Sequence, residues 1–484
     1  MSATLILIII AFYFGMLMLI SHLVSKNTSD DSFYTGDRKS PWQIVAFGMI
    51  GAVISGVTFV SIPGMVGNNN FYYLQFVFGN IVGYLFITYV LVPIYFDLKL
   101  VSIYTYLKPR FGIRTYKTGS LFFLVSQSFG AALRLLLAAK ILQYAVFDAF
   151  HIPFFITVLI ILILIWLYTN KSGIKTIVWT DTLQTLFLLT AAFITIYVVK
   201  SSLNLSISET ITSVTQHKYF KIFDWDFNSG NNFFKQFISG ILIGVAMIGL
   251  DQNMMQKTLT CKNKKEAQRN ILSFSLILAI TQFLFLGLGV MLYLYVEKLG
   301  IPLETENGKF INTDNLFPML SLNYFGTIAA VSFILGITAA SFSSVDSALT
   351  ALTTSFTHDF LDIQHKSSKQ KKQLKNVVLF GFSSVIFIII MLFSHSKGDV
   401  ISTIFKVAGY TYGPLLGLYL LGIFTKIKIR DQAVPYICVL MPAVTYFLNS
   451  YFINEYNFDF GFMNILVNAL LTIIILMLFK KNDN

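Results

Sequence analysis

The sequence predicts an all-α polytopic membrane protein of about thirteen transmembrane helices, and three observations carry that prediction. Only 12% of the 484 residues are charged and 55% are hydrophobic, at a mean hydropathy of +0.70. A water-soluble chain carries about twice that share of charge. The charge is also segregated, because long apolar runs alternate with short polar segments. Those runs exceed strand length and lack the alternation of a membrane barrel, which leaves helices that satisfy their own backbone in lipid.

In chain order the spans are expected at 3–23, 42–67, 71–96, 118–145, 153–169, 176–199, 236–256, 270–296, 326–355, 376–394, 399–424, 433–451 and 460–479. The first has neither a basic start nor a small-residue cleavage site, so it reads as a helix and not as a removed leader. Lys and Arg then separate by side: 25 of 35 fall on one side of the membrane and seven on the other. Three more, Arg134, Lys140 and Lys406, lie inside spans. The positive-inside rule therefore places the N-terminus outside and the C-terminus in the cytoplasm of a plasma (inner) membrane. The net charge of +12 is topology, and nucleic acid is not an expected partner. Two cysteines, Cys261 and Cys438, imply neither a disulfide framework nor a metal cluster. The segment 297–325 has turn chemistry and a short surface helix, 365–375 reads as a solvated basic linker, and no soluble domain is expected beyond the last span.

Two spans are rich in glycine, "FGMIGAVISGVTFVSIPG" (47–64) and "ISGILIGVAMIGLDQ" (238–252). Each glycine weakens a helix by roughly 1 kcal/mol relative to alanine. Each stretch opens a run of five spans, 42–199 and 236–424, and an odd repeat forces the two runs into opposite orientations. Glycine-interrupted helices at matching positions of inverted halves point to a transporter's binding site; close helix packing through small residues is the alternative.

The span "GITAASFSSVDSALTALTTS" (336–355) carries nine Ser or Thr and one carboxylate, Asp346. Membrane hydroxyls often bond back to the carbonyl four residues earlier, which needs no ligand. A carboxylate at that depth is costly and marks a site or a pathway. Hard cations take oxygen ligands, so a broken helix with freed carbonyls facing these hydroxyls supplies a cation shell.

These residues resemble the sodium/solute symporter family, which includes sodium-coupled sialic acid, proline and glucose transporters. The resemblance rests on "ISGVTFVSIPG" (54–64), "YLKPRFG" (106–112), "WTDTLQ" (179–184), "DQNMMQKTL" (251–259), "ASFSSVDSALTALTTSFTHDF" (340–360) and "GPLLGLYLLGIF" (413–424), six motifs in order over nearly the whole chain. It implies a LeuT-type core of two inverted five-helix repeats within one transmembrane transporter domain (1–484). An extra helix (3–23) precedes the repeats and two helices (433–479) follow them. The principal sodium site would use the carbonyls of Gly51, Ile54 and Ala340 and the hydroxyls of Ser343 and Ser344. A second cation site would use Asp181, Asp346 and Ser347, with Asp346 standing where relatives usually have a hydroxyl. Asp181 as partner of a cytoplasmic basic residue remains the alternative there, and a proton shared with Asp346 another.

For the solute, the resemblance implies a pocket of Ser55, Thr58, Phe71, Gln75 and Arg134, the last matching a carboxylate-binding arginine of the sialic acid carriers. A mid-membrane guanidinium pairs with an anion, either the solute or an internal acid such as Asp346. Lys406 falls where glucose carriers use a sugar-binding glutamine, and Gly244 replaces their asparagine on the seventh span; a snorkelled Lys406 is equally open. The expected activity is sodium-coupled import of a small organic anion, sialic acid-like or monocarboxylate, by alternating access, with a neutral sugar or amino acid as the alternative. Sodium is the coupling ion and no cofactor is expected. The six histidines sit near span ends or in loops and no catalytic motif appears, which argues against an intramembrane enzyme.

Overall fold

The computed structural model describes residues 3–25, 32–169, 173–395 and 400–481; Lys26, Lys171 and Lys397, counted above by side, lie outside them. Among the described residues ten helices are long and apolar enough to cross a membrane, and two bent pairs bring the number to twelve. The remaining expected span, 153–169, is the helix Phe154–Thr169. At 1.5 Å per residue it is about 24 Å long, short of the ~30 Å hydrocarbon core. The count of thirteen therefore rests on a helix below ordinary spanning length.

Two of the long helices start in polar flanks that cap them. Asn263 accepts the Glu266 amide and starts Lys264–Leu299, which ends on left-handed Gly300. Ser367 and Gln370 form a reciprocal capping box at the start of Ser368–Phe393, which fills two of the amides every helix start leaves open. The segment after Leu299 holds a two-stranded hairpin, Thr305–Glu306 with Lys309–Phe310, and the short helix Leu316–Asn323.

Both glycine-rich spans are broken. Trp42–Val53 and Gly56–Asn69 meet at 61°, and Phe233–Gly249 and Gln252–Thr258 at 67°. At the first break Ser55 is extended (φ −69°, ψ 171°). Its amide bonds the Val53 carbonyl (2.9 Å), which releases the Gly51 carbonyl from the regular four-residue pairing. At the second, Asp251 is extended and its carboxylate accepts the Met254 amide as the cap of the following helix.

Close backbone approach locks the halves together. A Cβ on Gly240 would strike the Phe76 carbonyl and one on Gly79 the Phe237 carbonyl. The helix Tyr73–Phe86, which follows the first broken span, thus packs directly on the half preceding the second break. The long Ser-rich helix, Gly326–Asp359, is buried along most of its length, and it crosses the first broken helix where Gly56 lies against Ser341.

Candidate functional site

The first break and the Ser-rich helix come together. Ser344 Oγ lies within hydrogen-bonding reach of two carbonyls, Ala340 in its own helix (2.9 Å) and Ala52 across the gap (3.2 Å). The local back-bond and the cross-helix contact thus coexist. Ile54, Ala340, Ser343 and Ser344 are all fully buried. Gly51 faces Asp181 and Thr185 of the helix Ile174–Ser202, at a separation no side chain would permit. Ser343 donates its proton to Asp181 Oδ1 (2.5 Å), which leaves the hydroxyl lone pairs for another partner. The groups gathered here are oxygens throughout, and the released Gly51 carbonyl lies one residue before the Ala52 carbonyl that reaches Ser344. These residues fit a small hard cation.

Asp181 is held differently from the two-carboxylate expectation. Lys257 Nζ sits 2.6 Å from its Oδ2, with 1% and 0% of the two side chains exposed. Ser347 Oγ adds a second bond to Oδ2 (3.3 Å). Asp346 accepts from Tyr168 (2.8 Å), and its Oδ1 has no hydrogen-bond partner among the described residues. Helical geometry explains the separation: Ser343 and Ser347 are four apart and share a face, while Asp346 is turned about 100° from Ser347. The basic partner left open in the sequence is Lys257. The expected span 236–256 stops one residue short of it, whereas Lys257 lies in the last turn of the helix Gln252–Thr258.

Between the broken helices lies a cavity of about 80 Å³, lined among others by Ser55, Thr58, Phe76, Asn80, Arg134, Gly244, Asp251 and Gln282. Three of the expected solute residues, Ser55, Thr58 and Arg134, are present. Arg134 makes no hydrogen bond or ion pair with a described residue. Asp251 shares the cavity, but its carboxylate is engaged by the Tyr412 hydroxyl (2.6 Å) and the Met254 amide (3.2 Å). The internal salt bridge to Asp346 does not form, since Tyr168 holds that carboxylate.

Phe71, Gln75 and Lys406 do not line this cavity. Phe71 packs on Phe220 with ring centres 4.7 Å apart. Gln75 clamps a connecting segment, donating to the Asn231 carbonyl (2.8 Å) and accepting the Asp224 amide (3.1 Å). The same helix instead brings Phe76 and Asn80 to the cavity, the same Phe-x-x-x-amide spacing five residues further on. The turn at Asn70–Tyr72 absorbs residues that a helical register would have counted. Lys406 is exposed while its neighbours Ile404 and Phe405 line the cavity, so it corrects to the snorkelled alternative.

Gly244 acquires a role. A Cβ there would sit 2.9 Å from Asn80 Oδ1, so the bare glycine makes room for an amide reaching in from the opposite helix. Asn80 Oδ1 and Gln282 Oε1 are buried acceptors without partners among the described residues. Such groups are costly unless a ligand or water completes them.

Comparison with known proteins places this geometry. The chain is 26% identical over 475 residues to the sodium/sialic acid symporter SiaT of Proteus mirabilis (strain HI4320), covering 95% of this chain and 93% of that one. It is 25% identical over 489 residues to the sodium/sialic acid symporter NanT of Aliivibrio fischeri (strain ATCC 700601 / ES114), covering 98% and 93%. A sodium-coupled sialic acid symporter solved in a substrate-bound, outward-open state superposes with a TM-score of 0.81 at 21% identity, over 98% of this chain and 97% of that one. The shared fold is thus the LeuT type, with its broken helices around a central site. The model of the sodium:solute symporter family matches residues 33–432, and with most of its length accounted for in this way the chain belongs to that family, a group of membrane transporters and not of enzymes.

Proposed function

We propose that this symporter imports a polyhydroxylated carboxylate, a sialic acid-like sugar acid, together with sodium. The observation that carries the reading is Arg134, a guanidinium that makes no hydrogen bond or ion pair with a described residue, facing the same cavity as the unfilled acceptors of Asn80 and Gln282. A bidentate cation suits the carboxylate, and the two amide oxygens suit hydroxyl or N–H donors elsewhere on the solute. The names of the two relatives above lend the same substrate class. A compact monocarboxylate is the second reading, favoured by the cavity's volume, which is well below the roughly 300 Å³ of ordinary ligand pockets; a sugar acid requires the walls to part.

The orientation follows the charge distribution, with the N-terminus outside and the C-terminus in the cytoplasm of the inner membrane, and with the repeats at 42–199 and 236–424. Sodium binds the carbonyls of Gly51, Ile54 and Ala340 and the hydroxyls of Ser343 and Ser344, which joins the first broken helix to the Ser-rich helix. Joining them orders Ser55 and Thr58, just past the break, for the solute. The bundle containing the broken helices then rocks against the rest and opens the site inward. A monoanion with one sodium moves no net charge. Each further cation driven by about 100 mV adds about 2.3 kcal/mol, roughly fiftyfold in gradient. A second cation belongs at Asp181, Ser343 and Ser347, where it takes the place of Lys257 on the carboxylate.

Uptake into proteoliposomes across sialic acids, monocarboxylates, amino acids and neutral sugars tests the reading. Sodium-dependent uptake of a sugar acid is expected; sodium-driven uptake of neutral sugar alone would refute it. Asn80→Ala is expected to weaken uptake of the sugar acid about tenfold, the size of one lost buried hydrogen bond, with little effect on a simple monocarboxylate. Ser344→Ala is expected to raise the half-saturating sodium concentration by about tenfold, and an unchanged value removes Ser344 from the sodium shell.

A further inference from the structure

The segment joining Ile174–Ser202 to Phe233–Gly249 turns aromatic rings outward. Phe223, Trp225, Phe227 and Phe234 are 48%, 63%, 65% and 55% exposed; Phe223, Trp225 and Phe234 form one contiguous group, and Phe227 packs on Phe458 (6.5 Å). Trp225 stacks on Phe223 (5.7 Å) and meets Phe233 (5.1 Å) and Phe234 (6.2 Å). Contiguous apolar surface of this kind marks an interaction face, unlike scattered exposed residues.

Part of the backbone beneath the rings is bonded within the segment. The Asp226 and Asn228 amides bond the carboxylates of Asp224 and Asp226 (3.0 Å each), and the Asn231 amide bonds Ser229 Oγ (3.0 Å). The Ser229 and Phe233 amides reach the carbonyls of Asp226 and Asp224. A loop in water can leave such amides to solvent, whereas internal bonding lowers the cost of bringing the segment toward lipid. The cation of the group is folded under as well. Lys235, 5% exposed, lies 4.0 Å from the Phe458 ring centre and 5.5 Å from that of Phe227, a cation–π arrangement. The segment also runs straight into a membrane-crossing helix at Phe233, the depth at which aromatic belts sit.

We propose that residues 223–234 are an interfacial anchor that places its aromatic rings at the headgroup–acyl boundary, the partner being the bilayer itself. The anchor is bolted to the transport core, since Gln75 holds both Asp224 and Asn231 and the Phe71 amide bonds the Lys221 carbonyl (3.1 Å). Phe71 and Gln75, which do not line the solute cavity, thus fasten the chain after the first broken helix to this segment. The orientation proposed above decides only which leaflet is meant, so an error there leaves the anchor untouched.

The chain has four tryptophans, Trp42, Trp166, Trp179 and Trp225, which makes the test direct. The full chain with Trp42, Trp166 and Trp179 changed to Phe is reconstituted in phosphatidylcholine vesicles brominated on the acyl chains near the headgroup. Its Trp225 emission is expected to be quenched as strongly as that of a companion chain keeping only Trp179, a 42% exposed residue of a spanning helix. It is also expected to resist iodide added on both sides. Quenching by iodide without quenching by bromolipid overturns the anchor in favour of a water-facing surface or a soluble partner. Protection from both quenchers, varying with the protein-to-lipid ratio, overturns it in favour of a second copy of the chain. Should the triple substitution impair folding, Trp225→Phe alone reads the same quantity, because it is expected to remove a bromolipid-sensitive share of the native emission; no loss of that share overturns the proposal too.

Discussion

Arg134→Ala is expected to abolish uptake of the acid substrate, by at least about a hundredfold at subsaturating solute. The guanidinium faces the central cavity with no hydrogen bond or ion pair to a described residue, and the nearby Asp251 carboxylate is held by Tyr412 and the Met254 amide, so the solute carboxylate is the group expected to engage the fork directly. Truncating one member of a buried charge pair costs about 2–5 kcal/mol, enough for that loss. Arg134→Lys keeps the charge but not the planar fork, and it is expected to recover only part of the uptake. A folding defect is separated from a binding defect by sodium itself. The sodium shell at Gly51, Ile54, Ala340, Ser343 and Ser344 does not include Arg134, so sodium-induced thermal stabilisation is expected to survive in Arg134→Ala. Normal transport by the variant would remove the anion from the mechanism.

What the sequence disclosed is depth, and what it withheld is direction around each helix. Counting residues from span ends set Arg134 at mid-membrane, the Ser-rich stretch beside the first break, and Lys406 nearer an end. Glycine density marked both broken helices, because glycine's effect on helices is local. Which way Asp346 turns, by contrast, is decided by packing against Tyr168, an event between helices far apart in sequence. The Lys257–Asp181 pair is of the same kind: two charged residues 76 positions apart, each in a recognised motif, with nothing in either motif naming the other. The slip from Phe76 and Asn80 to Phe71 and Gln75 has a third cause. A tight turn before the helix changed the register, and the Phe-x-x-x-amide spacing occurs twice in succession at 71–75 and 76–80. Gly244 was legible only as an absence. Its meaning came from Asn80, which fills the space a side chain would have taken.

The Lys257–Asp181 pair carries the second large expectation. Both side chains are out of solvent, so each single neutralisation strands the other's charge. Breaking a buried pair from one side costs about 3–5 kcal/mol, while replacing both members is often close to neutral. Lys257→Met and Asp181→Asn are therefore each expected to lower the melting temperature of the purified transporter sharply in choline chloride, and the double variant to recover most of it. The singles then part ways in sodium chloride. Lys257→Met leaves the Asp181 carboxylate, Ser343 and Ser347 without a compensating positive charge, so sodium is expected to restore its stability more than it stabilises the native chain. Asp181→Asn leaves a buried ammonium that sodium cannot serve, and it frees the Ser343 hydroxyl that Asp181 orients; no rescue is expected, together with a higher half-saturating sodium concentration. Singles whose costs simply add in the double variant would show that the pair is not energetically coupled. Equal responses of both singles to sodium would show that Lys257 does not stand in a cation's place.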